Sequence, residues 1–261
     1  MDTATSSSSD RSRPLIFAHR GARAELPENT IEAFSRALER RAGALETDVR
    51  LTADGHLVIF HDADGERIAH RSREVETTTL AELRTWDVGY AFEKDGSHPF
   101  VGQGYRAPLL SEALEAFPEA RFNVDLKPRS RASADVAMKV IREAKAEARV
   151  LLACADSRVL DYVRDHGYRG ATGFGATEVV RLLMTPLSML SPRSFRGAAV
   201  QIPHKAGPID LGTQATLARC RAIGARLHVF TVNDVARARE LAEQGVDGIM
   251  TDDPAKIVAA W

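Results

Sequence analysis

Seven polar side chains stand at or just after the ends of short apolar runs, where the chain would leave a buried strand: His19, Arg20, Glu46, Asp48, His61, Asp125 and Lys127. Glu46 and Asp48 are two residues apart, and so are Asp125 and Lys127. Successive side chains of a strand point to opposite faces, so the two members of each pair lie on the same side. The spacing therefore predicts that each pair presents both of its charged groups to one surface.

The carboxylates of Glu46, Asp48 and Asp125 are hard oxygen ligands. Such ligands suit Mg²⁺ or Ca²⁺ better than a soft metal. Carboxylates that lie close together repel one another, so a cluster of them needs a cation. These three residues therefore predict a site for one divalent ion, Mg²⁺ or Ca²⁺.

The remaining four side chains add an anion clamp and two proton carriers. Arg20 and Lys127 bring positive charge that can hold a phosphate group. His19 and His61 titrate near neutral pH and can pass protons to and from oxygen atoms. A metal ion, a phosphate clamp and two proton carriers together predict the cleavage of a phosphate ester.

Short apolar runs alternate with segments of helical period along the chain. The predicted strands cover residues 15–18, 44–49, 121–126, 150–153, 171–174, 198–202, 227–231 and 248–251. The predicted helices cover residues 31–38, 111–117, 132–148, 158–166, 178–187, 213–223, 235–243 and 254–260. Eight such repeats predict a (β/α)8 TIM barrel, with its functional groups at the carboxyl ends of the strands. The alternative, an open doubly wound sheet, is disfavoured because no Gly-x-Gly-x-x-Gly loop follows the first strand.

Two local features complete the predicted architecture. Asn29, with Glu32 three residues later, predicts a capping box at the start of the first helix, and Gly43 predicts its end. Asp54-Gly55 predicts a hairpin turn that leads into a strand at 56–60. Residues 63–108 are then polar and poor in strand pattern, and we expect a small folded insertion after the second strand, with a helix at 80–86.

Composition limits the classes of function and partner. The chain has 261 residues and a net charge of −1, which gives no bias toward nucleic acid. Its two cysteines indicate free thiols in a reducing compartment, and we expect a cytoplasmic protein. Residues 1–13 are rich in Ser and Thr and predict a disordered tail before a single domain at 14–261. No apolar run is long enough for a secretory signal or a transmembrane segment.

The motifs, taken in order, resemble those of the glycerophosphodiester phosphodiesterase family. In the first half of the chain these are His19-Arg20-Gly21, Pro27-Glu28-Asn29-Thr30, Glu46-Thr47-Asp48-Val49, Thr52-x-Asp54-Gly55 and His61-Asp62. Near the end, Thr231-Val232-Asn233 and the segment from Gly245 to Pro254 are similar to the family's closing motifs. Each motif alone is weak, but the ordered set is highly specific and extends over nearly everything after the tail.

The resemblance implies a metal-dependent phosphoric diester hydrolase that cleaves a small glycerophosphodiester to sn-glycerol 3-phosphate and an alcohol. It implies that His19 and His61 are the general acid/base pair. It also implies that Glu46 and Asp48 bind the metal and that Arg20 and Lys127 contact the phosphate. The insertion at 63–108 would help to cover the site.

Two positions depart from the family pattern. Asp125 stands where family members usually carry Glu, and Phe230 stands where they usually carry Trp. Phe230 and His204 are candidates for lining the substrate pocket. The alternatives are a lysophospholipase D or phospholipase C-like lipid enzyme on the same scaffold and, more remotely, a phosphate-binding barrel without activity. An aldolase or isomerase barrel suits three adjacent carboxylates poorly.

Overall fold

The structure is a computed structural model that describes residues 13–127 and 130–261. Nearly all of the predicted tail at 1–13 therefore lies outside the described residues. At the start of the described chain, a guanidinium nitrogen of Arg13 donates to the carbonyl oxygen of Trp261 at 2.5 Å. In the described ranges, no helix combines the length and the apolar character that crossing a membrane requires.

Eight parallel strands form a nearly closed barrel. They are β1 (Leu15–His19), β2 (Ala44–Leu51), β3 (Phe122–Leu126), β4 (Val150–Ala153), β5 (Ala171–Thr172), β6 (Ala199–Pro203), β7 (Arg226–Phe230) and β8 (Gly248–Thr251). Their order around the sheet is β5-β4-β3-β2-β1-β8-β7-β6. A parallel bridge between Gly173 and Ala199 connects the two ends of this order. The predicted (β/α)8 barrel is confirmed.

A helix follows each barrel strand before the next one begins. The helices are α1 (Ile31–Glu39), α2 (Leu110–Ala116), α3 (Arg131–Glu143), α4 (Ser157–Asp165), α5 (Ala176–Met184), α6 (Gln214–Ala222), α7 (Val235–Gln244) and α8 (Pro254–Val258). Their buried faces pack apolar side chains against the outside of the barrel strands. This packing fixes the strand ends from which the polar side chains project.

The predicted cap of α1 is wrong by one residue. Thr30 is the N-cap, and its hydroxyl accepts a hydrogen bond from the backbone N–H of Ala33. Asn29 instead adopts a left-handed backbone with a φ of 59° and turns its side chain toward β2. The helix ends at Glu39 rather than near Gly43, because Arg41 also takes a left-handed φ of 61°.

Several other predicted elements are longer than the observed ones, among them the following three. The helix predicted at 132–148 ends at Glu143, and Lys145 then takes a left-handed φ of 52°. The helix predicted at 178–187 ends at Met184, since Pro186 disfavours helical geometry in the residue before it. The strand predicted at 171–174 is only Ala171–Thr172, and Gly173 contributes a single bridge.

The segment after β2 carries elements and apolar packing of its own. Leu57–Ile59 pairs antiparallel with the end of β2, as the turn at Gly55 predicts. The segment continues through the strands Asp64–Gly65 and Arg71–Glu74, the helices Glu66–Ala69 and Leu80–Leu83, and the 3-10 turn Val75–Thr77. Trp86 packs into a local apolar cluster of this region. The exact bounds of the insertion and of the domain stay a prediction.

Candidate functional site

Strand register brings the predicted polar residues together at the carboxyl end of the barrel. His19 at the end of β1 is the register partner of Glu46 in β2. In the next strand, β3, Asn123 pairs with Glu46 and Asp125 pairs with Asp48. Neighbouring parallel strands therefore carry their alternate side chains at matching heights, which stacks two polar layers at this end of the barrel.

A cavity of about 320 Å³ opens over these layers. It is lined by His19, Arg20, Glu46, Asp48, His61, Asn123, Asp125, Lys127, Ala153, Cys154, Ala155, Phe174, Gln201, Phe230, Thr231 and Met250. All seven polar residues singled out in the sequence lie on its wall, together with Phe230. His204 is not among these lining residues. Its backbone N–H donates to the carbonyl oxygen of Phe230 at 2.7 Å, and its Nδ1 is buried without a hydrogen-bond partner in the described structure.

A lysine ammonium lies between two of the three carboxylates. Lys127 Nζ is 2.8 Å from Asp125 Oδ2 and 3.0 Å from Asp48 Oδ1. Burial alone would lower the pKa of Lys127, but the charges of Asp125 and Asp48 reverse this and hold it above its usual range. Among the residues that the structure describes, no three His, Cys, Asp or Glu side chains form a ready-made metal cage. A protonated lysine therefore supplies the positive charge between this pair.

Glu46 is the carboxylate whose charge the protein compensates least. Its side chain is almost completely buried, and one of its oxygens accepts from the backbone N–H of Arg20 at 3.2 Å. Burial raises the pKa of Glu46 well above its ordinary value, and the charges of Asp48 and Asp125 raise it further. Arg20 and Lys127 oppose this rise without cancelling it. The cavity thus holds an excess of carboxylate, and a hard cation fits this chemistry.

Arg20 connects the cavity to the loop that precedes α1. Its Nη1 donates to Glu28 Oε1 at 2.9 Å, and its Nε lies 3.3 Å from Asp48 Oδ2. That Nε is buried and is not aligned for a hydrogen bond to any described group. Burial lowers the pKa of Arg20, but Glu28 and Asp48 raise it above its ordinary value, so the guanidinium stays charged. A buried cation with an unaligned donor suits the binding of an anion.

Each of the two candidate catalytic histidines has one ring nitrogen held by a carboxylate. His19 Nδ1 lies 2.7 Å from Asp252 Oδ1, and His61 Nδ1 lies 2.6 Å from Asp62 Oδ1. Burial opposes ionisation of both aspartates, yet their charged neighbours lower the pKa of Asp252 and of Asp62. An ionised carboxylate only accepts hydrogen bonds, so Nδ1 of each ring carries the proton that it donates. Nε2 is thereby left for other chemistry.

The environments of the two rings differ. His19 Nε2 is 3.9 Å from Glu46 Oε2, close to the carboxylate layer. Burial lowers the pKa of His61 below its ordinary value, although Asp48 and the hydrogen bond to Asp62 act in the opposite direction. His61 is therefore neutral at physiological pH, which is the form that can take up a proton.

Asn29 is a site residue that the sequence placed at a helix cap instead. Its amide nitrogen donates to Asp48 Oδ2 at 3.3 Å, and its carbonyl oxygen accepts from the hydroxyl of Thr47 at 2.9 Å. The side chain thus holds two neighbouring residues of β2 in place. The only hint of this role in the sequence was that Asn29 lies in the polar segment Pro27-Glu28-Asn29-Thr30.

Two residues of the cavity wall connect it to a buried histidine inside the barrel. Gln201 Nε2 donates to Asn123 Oδ1 at 2.9 Å and lies 3.3 Å from His228 Nδ1. His228 also packs against Phe17, with ring centroids 4.8 Å apart. Burial and the charge of Arg226 lower the pKa of His228 to about 3, so this ring is neutral. His228 is buried and is absent from the residues that line the cavity, which indicates a structural role.

Comparison with known proteins places this geometry in a family. The chain is 29% identical over 252 residues to a glycerophosphodiester phosphodiesterase of Caldanaerobacter subterraneus subsp. tengcongensis, covering 94% of this chain and 97% of that protein. It is also 29% identical over 250 residues to one of Bacillus altitudinis, covering 93% and 96% of the two chains. A phosphodiesterase of Oleispira antarctica, solved in complex with its product sn-glycerol-3-phosphate, superposes with a TM-score of 0.78 at 25% identity and covers 95% of this chain and 96% of its own. Residues 19–256 match the glycerophosphoryl diester phosphodiesterase family, and the chain belongs to that family.

Proposed function

We propose that the protein hydrolyses small glycerophosphodiesters to sn-glycerol 3-phosphate and an alcohol, with one divalent cation and two histidines. The observation that carries this proposal is the pair of carboxylate-held rings of His19 and His61 on one cavity that also contains an excess of carboxylate. The product named in the Oleispira antarctica complex supports a small glycerophosphate as the ligand.

Glu46, Asp48 and Asp125 would hold the cation, which is Mg²⁺ or Ca²⁺ on the chemistry of its oxygen ligands. When bound, the ion supplies positive charge to the phosphoryl oxygens. The raised pKa of Glu46 supports this assignment, because a cation offsets both the burial of this carboxylate and its repulsion by Asp48 and Asp125, which together raise the pKa. Lys127 now lies between Asp48 and Asp125, and we expect its ammonium to turn toward the phosphate when the ion binds.

Arg20 and Lys127 would bind the non-bridging oxygens of the phosphodiester. Both remain charged, and both lie on the wall of the cavity. Glu28 anchors the Arg20 guanidinium through Nη1, and its buried Nε, 3.3 Å from Asp48 Oδ2, has no aligned hydrogen-bond partner among the described groups. Two fixed cations around one phosphate group stabilise the charge that builds up as the phosphorus–oxygen bond breaks.

His19 and His61 would act through Nε2, since Nδ1 of each ring is engaged by an aspartate. A neutral Nε2 takes the proton of the attacking hydroxyl group. A protonated Nε2 gives a proton to the leaving alkoxide. Each transfer is worth on the order of 10²–10⁴-fold in rate.

The proposal is tested by measuring glycerol 3-phosphate release from a panel of glycerophosphodiesters. His19→Ala and His61→Ala should each reduce kcat by about 100-fold or more, and the double variant should be little slower than either single one. His56→Ala, which alters an exposed histidine outside the cavity, should retain wild-type turnover. A single variant that kept more than about a tenth of the activity would remove that histidine from the acid/base role.

Chelation tests the cation separately. Excess chelator should stop turnover, and added Mg²⁺ or Ca²⁺ should restore it. Undiminished turnover in chelator would exclude the cation from the proposal. The lipid-directed alternatives are not favoured, because the two bacterial relatives described above are both named glycerophosphodiester phosphodiesterases. A phosphate-binding barrel without activity would release no product in any arm of the assay.

A further inference from the structure

The aspartate that holds His19 is itself held by an arginine. Asp252 follows β8, and its Oδ1 accepts from His19 Nδ1 at 2.7 Å. Arg23 Nη1 lies 3.5 Å from the same oxygen. Asn233 Nδ2 donates to the other oxygen of Asp252 at 2.8 Å. The orientation of the His19 ring therefore depends on a carboxylate whose position Arg23 and Asn233 fix.

The aspartate that holds His61 has a matching arrangement in the segment after β2. Asp62 Oδ1 lies 2.6 Å from His61 Nδ1, and Asp62 Oδ2 accepts from Arg67 Nε at 2.6 Å. Arg67 belongs to the short helix Glu66–Ala69 of the segment after β2. Both histidines thus end a relay of the same composition, in which an arginine holds an aspartate and the aspartate holds a ring.

The two relays meet at one side chain, that of Glu28. Glu28 Oε2 is 3.2 Å from Arg23 Nη2, and it also accepts from Arg67 Nη1 at 3.1 Å. Glu28 Oε1 accepts from Arg67 Nη2 at 2.8 Å and from Arg20 Nη1 at 2.9 Å. Only 9% of the Glu28 side chain is exposed. One buried carboxylate therefore binds three arginines that come from two different parts of the chain.

We propose that Glu28 is a positioning residue that holds the two acid/base histidines in their working orientation at the same time, through Arg23 and Asp252 on one side and Arg67 and Asp62 on the other. The proposal rests on the proposed function, since it assumes that both rings act on the substrate. Glu28 is not among the residues that line the cavity, and its partners in the described structure are the three arginines rather than either ring.

Charge explains why one residue can affect both rings. Without the Glu28 carboxylate, three guanidinium groups would face one another with no anion between them, and they would move toward other acceptors. Arg23 and Arg67 would then no longer fix Asp252 and Asp62. Displacing a catalytic group by about 1 Å can lower the rate by on the order of 100-fold, so a displacement of both rings should lower kcat measurably.

The first test reads the rings directly and needs no turnover. In ¹H–¹⁵N spectra of the full chain, the wild type should show His19 and His61 with the proton on Nδ1. Glu28→Gln should disturb both signals, whereas Arg23→Gln should disturb only His19 and Arg67→Gln only His61. The matched control is Glu82→Gln, which removes an exposed carboxylate paired with Arg73 outside the site and should change neither ring.

The second test separates positioning from substrate binding. Arg23→Gln and Arg67→Gln, which leave the contact between Glu28 and Arg20 in place, should each lower kcat on a glycerophosphodiester by about tenfold or more, with a much smaller change in KM and in the affinity for sn-glycerol 3-phosphate. Glu28→Gln should lower kcat at least as much and should also weaken product binding, because it releases Arg20. On a p-nitrophenyl phosphodiester, whose leaving group needs no protonation, one of the two arginine variants should regain near-normal kcat and the other should not. Glu28→Asp, which keeps the charge, should recover part of the loss.

Two outcomes would overturn the proposal. The proposal is wrong if Glu28→Gln leaves both Nδ1–H signals and kcat unchanged, or if Arg23→Gln and Arg67→Gln each disturb both rings equally. If Glu28→Gln fails to fold, the two arginine variants still decide the question through their separate ring signals. If the variants change the ring signals as expected but the wild-type protein releases no glycerol 3-phosphate, the proposed function is wrong and the positioning role of Glu28 still holds.

Discussion

Glu46 should hold its proton to a higher pH than an ordinary glutamate does, which makes cation binding depend on pH. Burial and the neighbouring charges of Asp48 and Asp125 raise its pKa well above the ordinary value of 4.5. A ligand carboxylate must be ionised to bind a metal, so the ion has to displace this proton. One proton released per ion means that the dissociation constant falls about tenfold for each unit of pH, as long as the pH lies below the raised pKa.

The sign of the effect follows from the direction of the shift. Below the raised pKa the protonated form of Glu46 predominates, so affinity for Ca²⁺ or Mg²⁺ increases as the pH rises. Above that pKa the proton is already gone, and the affinity levels off. Arg20 and Lys127 keep their own protons throughout, because the pKa of each is raised by carboxylates despite burial.

Calorimetric titration of the chelator-treated protein measures this proton directly. The heat of binding, plotted against the ionisation enthalpy of a series of buffers, has a slope equal to the number of protons released. The wild type should approach one proton per ion at low pH and fall toward zero as the pH increases. Glu46→Gln should bind more weakly and lose the slope, whereas Glu82→Gln, at an exposed site, should match the wild type.

Two results would refute this reasoning. If ion binding released no proton anywhere above pH 4.5, the charge of Glu46 would already be balanced by Arg20 and Lys127. If Glu46→Gln kept the full buffer dependence, the proton would come from another group. Absence of binding by either ion would instead reject the cation site itself.

Three further changes follow from the same structure. The pKa of His228 lies at about 3 instead of 6.5, a difference worth about 5 kcal/mol, so stability present above pH 6.5 is lost as the pH falls toward 3. In urea unfolding, the free energy of unfolding of His228→Gln should therefore fall less steeply with decreasing pH than that of the wild type. An unchanged pH dependence would contradict this prediction. Asn29→Gly tolerates the φ of 59° but loses the hydrogen bonds to Asp48 and Thr47, so kcat/KM should fall by about tenfold. Wild-type kinetics in this variant would argue against a role of Asn29 in holding the two β2 residues in place. Asp125→Glu should stay active with its preference shifted toward Mg²⁺, and Asp125→Ala should lose ion affinity; metal titrations with unaltered affinity in the alanine variant would remove Asp125 from the site.

The barrel could be predicted because its signals are local and repeated. Each strand is a short apolar run, and each helix has its own period, so the eight units are visible one at a time. Helix ends were predicted less well where distant contacts decide. Asn29 and Thr30 are both good N-cap residues, and Thr30 takes the cap because the Asn29 side chain binds Thr47 and Asp48 in the next strand.

The carboxylate layers could likewise be predicted from spacing, since Glu46 and Asp48 are alternate residues of one strand. The partner of His19 could not. Asp252 is 233 residues from His19, and no local pattern connects them. His204 is the reverse case, because its position just after β6 suggested the cavity wall. There the chain enters the small hairpin of Lys205–Ala206 and Ile209–Asp210, and His204 is absent from the residues that line the cavity.

The charges of the cavity give the order in which its ligands should bind. When all are ionised, three carboxylates, those of Glu46, Asp48 and Asp125, face two basic side chains, Arg20 and Lys127. In that state the excess at the cavity is negative and repels a phosphodiester. A divalent cation reverses the local sign and creates a surplus positive charge opposite the single negative charge of the substrate. The same excess that raises the pKa of Glu46 thus makes the site attract a cation first and the phosphodiester only afterwards.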